Sequence, residues 1–140
     1  MNILLPVDAS DRTQRLLDYM AAHEEVFGPR HEYSVLTVVA PIPARVAILL
    51  SRSKMDDCYR EDAQKALQPV RAFLEDKGWP VNATFAVGHA SSVIAECARS
   101  GKYGLMVMGT HGRPALGGLV LGSVTTGVLS RCKLPVLLVP

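Results

Sequence analysis

The stretch that decides the fold is "NILLPVDASDRTQRLLDYMAAHEEVFG", Asn2 to Gly28. "NILLPV" is an unbroken apolar run that stops at Asp8, the pattern of a strand buried on both faces. Ser10 or Asp11 then caps a segment in which Leu16, Leu17, Met20 and Ala21 share one face, and Gly28-Pro29 halts it, so a helix is expected up to Gly28. The same strand-then-helix unit recurs along the chain. "EYSVLTVVA" (32–40) is rich in β-branched residues and ends at Pro41 and Pro43, as a second strand would. "ARVAILLSRS" (44–53) reads as either a short helix or an ordered loop. From Lys54 to Lys77, Met55, Tyr59, Ala63, Ala66, Leu67, Val70, Phe73 and Leu74 recur at helical spacing, and Gly78 closes the run.

"VNATFAVG" (81–88) alternates as a third strand, "SSVIAECARSG" (91–101) is a helix, and "GLMVMG" (104–109) is a fourth strand. After a glycine-rich segment, "SVTTGVLSRC" (123–132) reads as the last helix and "LPVLLVP" (134–140) as a wholly apolar last strand. Regular alternation of strand and helix predicts an α/β three-layer sandwich: one parallel, Rossmann-like sheet with helices on both faces, as a single domain over 1–140. Right-handed crossovers narrow the topology, and a five-stranded sheet of order 3-2-1-4-5 is expected.

Bulk properties close off several classes. With 140 residues, 49% apolar and 20% charged, the composition is that of an ordinary soluble domain. A net charge of +2 without a clustered basic face gives no footprint for nucleic acid or an anionic membrane. Cys58, Cys97 and Cys132 are odd in number and far apart, which argues against zinc or a disulfide framework and for a reducing, cytoplasmic setting. The N-terminus has no basic region and too short an apolar run for a signal peptide, and no window has the roughly 18 apolar residues of a membrane span.

Open parallel sheets bind ligands beyond the carboxyl ends of their strands, where strand order reverses. In the order 3-2-1-4-5 that point lies between the first and fourth strands. Asp8 ends one, and Gly109-Thr110-His111-Gly112 ends the other. The stretch "MGTHGRPALGGLVLGS", Met108 to Ser123, holds five glycines in sixteen residues. Glycine lets a ligand approach the main chain closely. Gly122-Ser123 then opens a helix whose first N–H groups, on Ser123, Val124 and Thr125, favour an anion. The Ser123 and Thr125 hydroxyls add donors, and Arg113 adds a positive charge at the rim. A triphosphate suits this arrangement. Leu121 stands where a Walker loop needs lysine, so Walker-type NTPase chemistry is not implied. The phosphate loop of a flavodoxin, the phosphoacceptor Asp of a response-regulator receiver, the Ser-Gly-Gly of a PP-loop synthetase and a GxGxxG fingerprint are all missing from the positions they would occupy.

"ILLPVDAS", then "VMGTHG", nine residues, and "GSVTTGVLSRCKLPVLLVP" together resemble the universal stress protein family. Its nucleotide-binding branch carries G-x2-G-x9-G-[ST], met here by Gly109, Gly112, Gly122 and Ser123. The resemblance runs from Asn2 to Val139 and is weakest over 41–53. It implies a pocket for ATP or ADP, often with Mg²⁺ or Mn²⁺. By position, Asp8 would meet the ribose or the metal–phosphate region beside Pro6 and Val7. Val38, or its neighbour Val39, would bond adenine through the main chain. Met108 and Gly109 would line the ribose, and His111, Gly112 and Arg113 would flank the phosphates. Gly122, Ser123, Val124 and Thr125 would hold them. Where many members read Gly-Ser after the first Asp, this chain reads Ala9-Ser10.

Single residues carry simpler expectations. Asp8 serves either as a helix cap or as a ligand contact, with its place at a switch point favouring the ligand. No partner base or nucleophile accompanies His111. His89 borders the pocket, Cys97 belongs to the core, Met55 and Tyr59 are helix packing, and Trp79 packs over a helix end. "LPVLLVP" would be a sheet edge, and a long apolar edge invites pairing, so a homodimer through 135–139 is expected. Universal stress proteins commonly dimerise in this way. The leading functional reading is a nucleotide-binding stress-response module that senses or signals through ATP occupancy. The alternatives are a slow ATPase or autophosphorylating enzyme, and an interaction module with no nucleotide.

Overall fold

The computed structural model describes residues 1–110 and 121–140. Its strands are β1 (Asn2–Pro6), β2 (Glu32–Val39), β3 (Val81–Val87), β4 (Leu105–Gly109) and β5 (Val136–Val139). Between them run α1 (Asp11–Ala22), the single turn α2 (Ala44–Ala47), α3 (Arg52–Asp76), α4 (Ala90–Ser100) and α5 (Ser123–Leu129). All described strand pairs are parallel and the order is β3-β2-β1-β4-β5, as the alternation predicted.

Side chains of one strand point alternately to opposite faces, and β1 shows what that does here. Ile3 and Leu5 join Leu16, Leu17 and Met20 of α1 and Ala63, Leu67, Val70 and Leu74 of α3 in one buried cluster. Leu4 points the other way, to Ile94 and Ala98 of α4 and Val128 of α5. An apolar run without alternation is therefore what a central strand between two helical layers requires.

Several boundaries differ from expectation, three of them with a local cause. α1 stops at Ala22 rather than Gly28. Beyond it the His23 carbonyl accepts the N–H groups of Val26 and Phe27, and Gly28 takes a φ of +127°. The buried Tyr33 hydroxyl holds that turn, donating to the Gly28 carbonyl at 3.0 Å and accepting its N–H at 2.8 Å. α5 ends at Leu129, so Cys132 lies outside it. The ambiguous segment 44–53 resolves into the short α2 and the start of α3, where the Ser51 hydroxyl accepts the Lys54 N–H. Tyr59 does more than pack: its hydroxyl accepts the Ile42 N–H at 3.0 Å and ties the entry to α2 onto α3.

At the amino end of the sheet, Trp79 is buried and stacks on Tyr33, ring centroids 5.3 Å apart. Phe73, in the last turns of α3, meets its edge at 6.1 Å, so Trp79 does cover a helix end. Cys97 is half-buried against the second core cluster, with its Sγ 3.6 Å from the Tyr103 hydroxyl. Among the described residues no helix is long and apolar enough to cross a membrane.

Candidate functional site: a cavity at the switch point

Where β1 and β4 part company, a cavity of about 370 Å³ opens beyond their carboxyl ends. Pro6 lines it from β1 with Val7 and Asp8 just beyond, Val38 from β2, and Met108 and Gly109 from β4. Gly122, Ser123, Val124 and Thr125 close it from the start of α5. The fold thus brings ten of the thirteen expected site residues to one cavity. The other three, His111, Gly112 and Arg113, lie outside the described residues, as do Gly117 and Gly118. Arg12, Thr13, Leu16, Leu36, Ala90, Ile94 and Leu121 also line it and were not anticipated from the sequence. A signal for Arg12 was available, since four residues after Asp8 at a helix start is ion-pair spacing.

The β1 end is built from side chains. Asp8 accepts hydrogen bonds from the Ser10 hydroxyl and, at 3.1 Å, from the Ser10 N–H. Its other oxygen takes an Arg12 guanidinium N–H at 2.6 Å. Thr13 donates its hydroxyl to the Asp8 carbonyl at 2.8 Å and accepts the Asp8 N–H at 3.1 Å. Partial burial pushes the Asp8 carboxyl up, but the hydrogen bonds from Ser10 and Arg12 and the Arg12 charge outweigh it, and the group sits below its ordinary value of 3.8. Asp8 is an anion at neutral pH and already has partners. The Ser10 hydroxyl also accepts the Arg12 N–H, so Ser10 caps α1 while Asp8 fixes the turn before it.

This turn lies hard against β4. A Cβ on Gly109 would come within 2.8 Å of the Arg12 carbonyl oxygen, so glycine is required there by close approach. Arg15 donates to the Thr110 carbonyl at 3.1 Å, and the Thr110 N–H donates to Val139 at 2.8 Å. The buried Thr110 hydroxyl has no hydrogen-bond partner among the described residues.

The β2 end is built from main chain. In a parallel sheet the N–H and C=O of one residue face the same neighbour, and residues two apart share it. The Leu36 carbonyl accepts the Val7 N–H at 2.9 Å, so the main chain of Val38 also faces the β1 side. β1 has ended by that level, and among the described residues nothing bonds to the Val38 N–H or C=O. Val39 faces the other way, with its carbonyl taken by the Gly88 N–H at 3.0 Å. Of the two candidates, Val38 is the one that presents a free donor and acceptor to the cavity.

At the third wall, Gly122 precedes α5 with a φ of +77°, a left-handed conformation suited to glycine. The Thr126 N–H and hydroxyl both bond to the Gly122 carbonyl, at 3.1 and 2.8 Å, and seat this first turn. The first-turn N–H groups of Ser123, Val124 and Thr125 have no partner within the helix. For a divalent cation the described residues fit poorly. No group of three His, Cys, Asp or Glu converges among them, and both Asp8 carboxylate oxygens are engaged by Ser10 and Arg12.

A doubly wound sheet with a cavity at its switch point defines a broad class of ligand-binding α/β folds. Comparison with known proteins narrows it: the chain belongs to the universal stress protein family, whose match spans residues 1–140. It is 28% identical to the universal stress protein MJ0577 of Methanocaldococcus jannaschii, across 98% of this chain and 93% of that protein. The solved structure of MJ0577 superimposes with a TM-score of 0.75 at 26% identity, covering 99% of this chain and 94% of the other. An Archaeoglobus fulgidus universal stress protein in complex with dAMP aligns with a TM-score of 0.71 at 18% identity, over 100% and 98% of the two chains. An Arabidopsis thaliana family protein with AMP bound gives 0.71 at 15%, over 99% and 90%. At those two identities the likeness speaks for the fold.

Proposed function

We propose that the chain binds an adenine nucleotide, ATP or ADP, in the switch-point cavity and serves as a cytoplasmic stress-response sensor whose occupancy is the signal. The observation that carries the reading is the N–H and C=O of Val38 at the cavity wall, which have no partner among the described residues. Adenine offers an acceptor at N1 beside a donor at its C6 amine, which matches that pair. Guanine offers the reverse. Pro6, Val7 and Asp8 then flank the ribose with Met108 and Gly109. The phosphates reach Gly122, Ser123, Val124 and Thr125, with His111, Gly112 and Arg113 on the connecting segment. Family relatives that hold AMP and dAMP support the ligand class.

Binding ranks above turnover in this reading. Asp8 is the one carboxylate among the described lining residues, and its lowered pKa and occupied oxygens make it a weak general base. The test is calorimetric titration with AMP, ATP and GMP. AMP and ATP are expected to bind at least about 100-fold more tightly than GMP, the penalty for two mismatched hydrogen bonds. Equal affinity for AMP and GMP would remove Val38 from the site.

The output is a homodimer through 135–139. Among the described residues β5 pairs only with β4, and the carbonyls of Pro135 and Val139 point to β4, which turns the main chains of Val136 and Leu138 to the open edge. An antiparallel partner β5 would satisfy both. Light scattering at micromolar concentration reads this directly, and a strict monomer would exclude it.

A further inference from the structure

A second cavity, of about 380 Å³, adjoins the first and shares Val38, Ala90, Ser123 and Val124 with it. Beyond that common wall it is lined by Ala40 and Pro41 after β2 and by Gly88 and His89 after β3. Ser91 of α4 forms its floor and is buried, accepting an Arg131 guanidinium N–H at 2.9 Å. The His89 Nδ1 lies 3.2 Å from the Ser91 hydroxyl, so the polar side of this cavity is preorganised.

The two cavities meet where the base would sit. Along a strand each residue's C=O lies further toward the carboxyl end than its N–H. An adenine bonded to Val38 therefore has N1 at the N–H and its C6 amine at the C=O, on the side of Ala40 and Pro41. The amine points across the shared wall. We propose that the second cavity is a subsite for a substituent on that amine, so that the chain accepts N6-substituted adenine nucleotides carrying an apolar arm. Val38, Ala40, Pro41, Ala90 and Val124 give the arm an apolar lining, and His89 bonds a polar group at its tip. The inference rests on the adenine reading of the first cavity and adds the specificity of its base end. Each cavity alone is near the small end of the roughly 300–1,000 Å³ range of ligand pockets, and a ligand spanning both would use the site fully.

The probe is N6-benzyl-AMP against AMP, titrated calorimetrically into the full chain and into Ala40→Trp. Ala40 is exposed, lines the second cavity and not the first, and can take a large side chain without disturbing the core. In the parent chain N6-benzyl-AMP is expected to bind within about tenfold of AMP. In Ala40→Trp it should weaken by a further factor of about ten or more while AMP stays within about twofold. His89→Trp, which fills the same space from the β3 side, should repeat the result. Rejection of N6-benzyl-AMP by the parent, or indifference of both variants to the benzyl group, overturns the subsite while AMP binding stands. Failure of AMP itself to bind overturns the first cavity's reading, and the subsite with it.

Discussion

At the end of β1 the cavity wall is made of side chains, whereas at the end of β2 it is made of main chain. Asp8, Ser10, Arg12 and Thr13 form a set of hydrogen bonds that engages both carboxylate oxygens and the main chain of Asp8. Val38 contributes only the N–H and C=O that β1 leaves behind when it stops. One wall depends on residue identity and on protonation. The other depends on strand register, which most substitutions leave intact. The same cavity is thus sensitive to mutation on one side and tolerant on the other.

The largest test of that contrast is Gly109→Ala. The added methyl meets the Arg12 carbonyl at 2.8 Å, so β4 and the β1 turn must separate. A loss of about 1–3 kcal/mol in urea unfolding is expected, the usual cost of overpacking. An unchanged midpoint would show that the turn is not seated as described.

A smaller effect should follow pH. The Asp8 pKa is lowered on folding, so its contribution is present above the unfolded value and is lost as pH falls through the folded one. With Asp8 half-exposed, the contribution is at most about 1 kcal/mol. The stability difference between parent and Asp8→Asn should be seen at pH 7 and should shrink once the pH drops well below the ordinary carboxylate range. A difference independent of pH would break the assignment.

Smallest of all is Val38→Ile. The proposed base contact is through the main chain, so AMP affinity should stay within about twofold. A large loss would mean that the side chain, not the backbone, meets the base.

Legibility in the sequence follows the same division. Strand order, layers and the side-chain wall at Asp8 could be read because apolar runs, caps and glycines are chemical identities. The choice between Val38 and Val39 could not, since both are valines and only the hydrogen bond from Val7 to Leu36 fixes the phase. The early end of α1 was hidden for another reason. Helical patterning continues past Ala22, and what stops the helix there is a turn held by Tyr33, a residue on the next strand. Arg12 could have been read from its ion-pair spacing to Asp8, whereas Thr13 could not, because it satisfies the Asp8 main chain, a relation that only the folded turn displays.

The chain's one tryptophan, Trp79, sits immediately before β3, at the end of the sheet away from the cavity, and is stacked on Tyr33 and edged by Phe73. Its fluorescence should therefore report how α3 closes over the sheet and stay silent when the cavity fills. The molecule carries a built-in optical gauge of its folding that stands apart from its cavity.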